Sequence, residues 1–282
     1  MAPTSEQTAA AAFHRWKCRG SGHGRDREDW LAAEKDLTFG LNYRWTVRHP
    51  LKAPAAPTAE SSIGRKCRFC ERSAPAASFG AAPRAIPPVF GETTLVSSDD
   101  CDDCRAHHDA ALAPAFEAFA RPLLGPEPVL STASIPVPAL KALVRIGLAI
   151  LPESELQHFD DAVDWVTNPD DARDSALLAG LGCHVYLTAA PVPGPFASLA
   201  RRCDDEAPFP YTLLFLGSGR VVFQTHLPFC PRDEDLDPTD APTGPELSMS
   251  TGPDHVPSRV VFLPVAAQEA RRRSGVAARV GG

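Results

Sequence analysis

Cys67 and Cys70 form one C-x-x-C pair, Cys101 and Cys104 form a second, and 30 residues separate them. A C-x-x-C turn aims two sulfurs at one point, so two such turns complete the tetrahedral thiolate shell of a structural Zn²⁺. Binding at such a site releases on the order of 10–16 kcal/mol, and that energy folds a segment with little core of its own. Redox-active or unrelated cysteines are the competing reading. Two correctly spaced pairs favour metal over it.

The remaining composition restricts the setting. Apolar residues make up 44% of the 282, enough for an ordinary core. The net charge of −7 argues against broad, non-specific nucleic-acid binding, while leaving room for a local basic patch. Residues 1–12 lack a basic start followed by an apolar run, so no secretory leader is expected. The longest apolar run, near 139–151, is interrupted by Lys141 and Arg145, so no membrane span is expected. Cysteine pairs in a leaderless chain suit a reducing, cytoplasmic compartment.

The pattern along the chain predicts an α+β fold: an N-terminal helical hairpin, a ββα zinc module, then helices with a small antiparallel sheet. Residues 1–49 are expected to be helical, opened by a Thr4–Gln7 capping box and broken at Gly20, Gly22 and Gly24. Trp30, Leu37, Leu41 and Trp45 share helical spacing, and Pro50 ends that second helix. Residues 50–64 read as an Ala/Pro/Ser linker. Within 65–125, short extended segments are expected at Arg84–Ile86 and Thr93–Val96, with a helix over His107–Leu124 that Pro114 weakens. Region 135–265 begins with helices over Val137–Leu151 and from Pro152 to about Val166. Strands are then expected at His184–Leu187, Tyr211–Leu216, Arg220–Thr225 and Arg259–Leu263. Residues 231–257 read as an acidic loop, and 266–282 as a basic, frayed tail.

The residues around the cysteines carry a resemblance. Cys67-Arg-Phe-Cys70, Ser78-Phe79, Arg84-Ala-Ile-Pro-Pro-Val-Phe-Gly91 and Asp100-Cys-Asp-Asp-Cys104 resemble the HNH endonuclease superfamily. The nearest type is its family five, with two zinc knuckles. The likeness covers about 65–125 and implies a ββα fold braced by one zinc. It also implies a histidine general base before the Ile-Pro step, a glutamate after the proline and an asparagine after the last cysteine. Here those positions are Arg84, Pro88 and Arg105. A guanidinium stays protonated to about pH 12, so Arg84 cannot accept a proton. Two fixed positive charges also repel a divalent cation. The nuclease centre is therefore expected to be inactive.

Three functions stay open at this point. The leading one is a zinc-bound scaffold that binds DNA or RNA, or a protein partner; Arg84, Arg105 and Arg68 are its nucleic-acid candidates, with Arg65, Lys66 and Arg72 nearby. Glu71, Asp99, Asp100, Asp102 and Asp103 nearly cancel that charge. The second is an active endonuclease using Mg²⁺ or Mn²⁺, with His107 or His108 as a displaced base. The third is a purely structural interaction module.

Residues 11–37 resemble a short bacterial module known only as domain of unknown function 2934, through Phe13, Trp16, the Gly20–Asp26 turn and Trp30-Leu-Ala-Ala-Glu34. That likeness implies a helical hairpin and no activity. Phe13, Trp16, Trp30 and Leu37 are expected to meet across the turn, while Leu41 and Trp45 are left to dock elsewhere. His14, His23 and Cys18 are read as loop and core residues rather than a second metal site. Lys141 and Arg145, one helical turn apart, are expected to snorkel to solvent rather than line a groove. Cys183 and His184 would face opposite sides of a strand, so they form no dyad.

Overall fold

Leu213–Leu216 and Val221–Phe223 hold the centre of the molecule, because the strands that carry them are covered on both faces. A computed structural model describes residues 1–51, 65–80, 86–90, 99–168, 178, 180–236, 244–249 and 258–266. Its helices are α1 (Ser5–Cys18), α2 (Asp26–Asn42), α3 (Asp102–His107), α4 (Ala113–Ala120), α5 (Val137–Ile150), α6 (Glu153–Leu156) and α7 (Asp160–Thr167). Its strands are β1 (Tyr43–Pro50), β2 (Gly182–Leu187), β3 (Phe196–Arg202), β4 (Thr212–Ser218), β5 (Val221–His226) and β6 (Arg259–Pro264). The strands form one six-stranded sheet in the order β1-β3-β4-β5-β2-β6, with every neighbour antiparallel. The fold is α+β, as the sequence indicates.

Strand alternation sorts the side chains into two cores. On one face, Leu213, Phe215, Val222 and Tyr186 meet Phe39 of α2 and Tyr43 at the head of β1. On the other, Leu214, Leu216, Val221 and Phe223 meet Phe116 of α4, much of α5 and Trp165 of α7. Each fully buried side chain of this kind contributes about 1.5–3 kcal/mol. The sheet therefore sits as a middle layer, with the cysteine segment on the α4–α5 side.

Several local expectations hold. Thr4 Oγ1 accepts the Gln7 N–H at 3.2 Å while Gln7 Oε1 accepts the Thr4 N–H at 2.8 Å, so the capping box opens α1. The hairpin of β4 and β5 pairs Ser218 with Val221, which places the turn at Gly219-Arg220. Gly219 has φ +58°, the left-handed conformation such a tight turn needs. Gly217 lies within β4, with the Phe196 ring lying where a side chain would be.

Other expectations fail for physical reasons. The second helix stops at Asn42, and Tyr43–Pro50 is a strand paired with β3. Tyr43-Arg-Trp-Thr-Val is rich in aromatic and β-branched residues, and the open edge of β3 rewards that choice over helical spacing. Trp45 thereby packs at 5.2 Å from Phe39 and 5.0 Å from Phe215. Strand β3 itself, Phe-Ala-Ser-Leu-Ala-Arg-Arg, has weak β-propensity and was not expected; burial between two layers makes it a strand. The long helix after Cys104 is interrupted by a π turn at His108–Leu112, where the Ala113 N–H reaches back to the His108 carbonyl. Pro114 has no N–H and its ring crowds the preceding turn, and the wider turn accommodates it. The helix expected from Pro152 to Val166 is split into α6 and α7. Most of the extended segments expected at Arg84–Ile86 and Thr93–Val96 lies outside the described residues, as do most of the 50–64 linker and nearly all of the 266–282 tail.

Candidate metal centre

The first knuckle is a tight turn. The Cys67 N–H donates to the Arg72 carbonyl at 2.8 Å, and the Glu71 N–H donates back to the Cys67 carbonyl at 2.9 Å. Glu71 closes the turn with φ +58°, a left-handed conformation that side-chain-bearing residues seldom adopt. The second knuckle is a helix start: Cys101 is the N-cap of α3 and Cys104 lies in its first turn. Two backbone bonds hold the knuckles face to face. The Arg68 N–H donates to the Asp99 carbonyl at 2.8 Å, and the Asp102 N–H to the Ser78 carbonyl at 2.9 Å.

The four sulfurs of Cys67, Cys70, Cys101 and Cys104 lie within 4.8 Å of one another. Sulfurs bound to one tetrahedral zinc at about 2.3 Å would stand about 3.8 Å apart, so the donor set fits that ion. Cys70 and Cys101 sulfurs are already at 3.5 Å. Among the described residues this is the only group of three or more His, Cys, Asp or Glu donors that could share an ion. The electrostatics agree. A hydrogen bond from Cys104 pulls the Cys67 thiol down to about 4, while that same bond and burial push Cys104 far up. Burial and the neighbouring thiols also raise Cys101. Four thiolates this close cannot all ionise unless a cation sits among them.

The site is anchored to α5 by two arginines. Arg145 pairs with Asp100, the residue before Cys101, with side chains 4% and 1% exposed. Its guanidinium also lies 4.3 Å from the centre of the Phe69 ring in the first knuckle. Arg68 donates to the Leu148 carbonyl at 2.8 Å and to the Leu151 carbonyl, capping the C-terminal end of α5. The snorkelling expected of Lys141 and Arg145 is therefore overturned: both are buried, at 5% and 3% exposure. Lys141 donates to the Asn168 carbonyl at 2.9 Å and lies over the Trp165 ring. The spacing of these two residues was visible in the sequence, but the acidic and carbonyl partners that draw them inward were not.

The basic candidates are not gathered on one open surface. Arg68 faces α5, with 7% of its side chain exposed. Arg105 pairs with Asp102 at 2.6 Å, Arg72 with Asp103 at 2.7 Å, and Lys66 with Glu71 at 3.0 Å. Arg84 lies outside the described residues. Of the two histidines, His107 is half-buried, and burial with the Lys141 and Arg145 charges depresses its pKa. His108 is buried, with Nδ1 at 3.1 Å from Asp109 and Nε2 without a hydrogen-bond partner among the described residues. Burial, chiefly, and Arg145 depress its pKa too.

Elsewhere, His14 Nδ1 lies 3.6 Å from the exposed Cys18 sulfur, a two-donor pair only. The hairpin aromatics do not close over one another: Phe13 stacks on Trp16 at 5.3 Å, yet Phe13 is 54% and Trp30 38% exposed. Cys183 packs in the α4–α5 core, whereas His184 lies 3.6 Å from Glu246 on the other side. Asp233 is no solvated loop residue. Its carboxylate accepts the Tyr211 N–H at 2.8 Å and an Arg202 N–H at 3.2 Å, and burial raises its pKa to about 6.

No helix among the described residues is long and apolar enough to cross a membrane. A family described as protein of unknown function (DUF2934) matches residues 3–38, which span α1 and most of α2. No curated protein matches the chain. No solved structure matches it either.

Proposed function

We propose that the chain is a zinc-braced scaffold whose HNH-like segment, residues 65–125, works as a structural and binding module and not as a nuclease. Cys67, Cys70, Cys101 and Cys104 hold the ion, and the ion fixes the two knuckles. The observation that carries this reading is the packing of four thiols within 4.8 Å of one another. All eight cysteines being free of disulfides supports a reducing, cytoplasmic setting. The engagement of Arg68, Arg72 and Arg105 by carbonyls and carboxylates favours a protein partner over DNA or RNA, since side-chain cations already paired within the protein are less available to neutralise phosphates and displace their counterions. Metal analysis of the purified chain should find about one zinc per molecule. With Mg²⁺ or Mn²⁺ it should cut neither DNA nor RNA.

A second reading is favoured by His108. A histidine oriented through Nδ1 by a carboxylate, with Nε2 left as acceptor, is the arrangement of a general base. Divalent-cation-dependent cleavage that disappears in His108→Ala would establish a nuclease and displace the scaffold. Salt-dependent DNA binding lost in Arg84→Glu would bring nucleic acid back as the partner.

A further inference from the structure

The four sulfurs are not equally supported. Cys67 Sγ accepts the Cys101 N–H at 3.4 Å. Cys101 Sγ lies 3.5 Å from Cys70 Sγ. It also faces Nη2 of Arg72 at 4.0 Å. Cys70 Sγ accepts the Arg72 Nε–H at 3.3 Å. N–H groups of the described residues reach Cys67, Cys70 and Cys101 Sγ, and none of the described residues makes such a contact to Cys104 Sγ. Burial adds a second asymmetry: Cys67 and Cys101 are buried, Cys70 and Cys104 half-buried.

An N–H···S bond draws negative charge off a metal-bound thiolate and makes it a poorer nucleophile; such outer partners change metal affinity by about 10–100-fold. We propose that Cys104 is the corner at which the metal site opens, the first of the four thiolates to be modified by an electrophile, and that Arg72 withholds Cys70 from the same fate. The inference rests on the zinc reading and goes further, because it ranks chemically identical ligands. The step is an alkylation. The Cys104 sulfur attacks the methylene carbon of iodoacetamide, the S–C bond forms as the C–I bond breaks, and iodide leaves with the electron pair. The neutral thioether is a weak ligand, and the zinc passes to a chelator in solution.

The test treats the full-length, metal-loaded chain with limiting iodoacetamide and maps modified cysteines by mass spectrometry, with zinc release followed by a chromophoric chelator. Exposed Cys18 and Cys203 label first and serve as references. Among the four, Cys104 should lead by about 10-fold, in step with zinc release. In Arg72→Met, Cys70 should rise to match Cys104, and Arg72→Lys, which keeps an N–H donor, should restore much of the lag. The cobalt-substituted Arg72→Met protein should keep its tetrahedral visible bands while its sulfur-to-metal charge-transfer band moves to longer wavelength. Zinc present with Cys67, Cys70 or Cys101 leading, or with all four labelled together, overturns this inference alone. A chain that carries no metal overturns the zinc reading and this inference with it.

Discussion

The sheet and the cysteine segment are neighbours built on opposite principles. Strands β2 to β5 are buried along nearly their whole length and hold apolar residues on both faces. Their stability is distributed over dozens of contacts, and no single group is indispensable. Residues 65–80 and 99–107 contribute few large apolar side chains, chiefly Phe69 and Phe79. They carry the four clustered sulfurs, two backbone bonds between knuckles, Arg68 reaching to α5 and Arg145 reaching from α5 to Asp100. One region is stabilised by many weak interactions and the other by a few strong ones, so they should fail differently.

The largest expected effect separates them directly. Removing the metal with a strong chelator, or replacing Cys101 with Ser, removes binding energy on the order of 10–16 kcal/mol from one region. Hydrogen exchange should show residues 65–80 and 99–107 losing protection while the amides of β4 and β5 keep theirs. Simultaneous loss in both regions would mean that the sheet also depends on the metal, and the contrast would collapse.

Next is the anchor between them. Arg145→Met removes the guanidinium that pairs with buried Asp100, which costs up to about 3–5 kcal/mol, measured as a shift in urea unfolding. Arg145→Met combined with Asp100→Leu should recover a large share, because an apolar pair of similar volume avoids the desolvation of two charges. If the double variant is no better than the single one, the pair is not what joins the knuckles to α5.

How these regions were legible from sequence follows the same division. The cysteine cluster was readable because its geometry is local: two C-x-x-C turns each bring two sulfurs to one point. The sheet was partly readable wherever a strand carries the β-rich residues of Tyr211–Leu216 or Arg259–Leu263. It failed at β1 and β3, where the pairing of Trp45 with Ala200 is decided by residues 155 positions apart. Arg68 and Arg145 were visible as charges but not as anchors, since their partners, the Leu148 carbonyl and Asp100, are supplied by the fold. Arg72 escaped notice as a hydrogen-bond donor to sulfur for the same reason: Cys70 is two residues away, but only the turn at Glu71 brings the guanidinium back onto it.

A smaller effect probes the sheet alone. A Cβ at Gly217 would lie 2.3 Å from the Phe196 ring, so Gly217→Ala overpacks the β3–β4 pair and should cost about 1–3 kcal/mol. The metal-site signature, zinc content and chelator release rate, should stay unchanged. A changed release rate would show that strain in the sheet propagates to the knuckles.

The smallest expected effect is acid sensitivity, and it can be divided between the two regions. His107 and His108 lie beside the metal side of α5, and His184 lies on the sheet. All three have depressed pKa values, burial being the main cause in each. The charges facing His108 are Arg145, Asp109 and Asp100; those facing His184 are Glu246 and Lys35. A histidine with a lowered folded pKa binds fewer protons folded than unfolded. Its contribution is thus complete above the unfolded value of about 6.5 and is lost as pH falls through that value towards the folded one. Each such group can tilt stability by at most about 1.4 kcal/mol per pH unit. Unfolding measured from pH 7.5 to 5.5 should show a shallower slope in His108→Gln and, separately, in His184→Gln, because a glutamine has no proton to gain. Comparing variants at equal pH cancels the protonation of the cysteine ligands. If only His108→Gln flattens the curve, acid acts through the knuckle side. If only His184→Gln does, the distributed core, and not the braced one, is where protons first loosen the molecule.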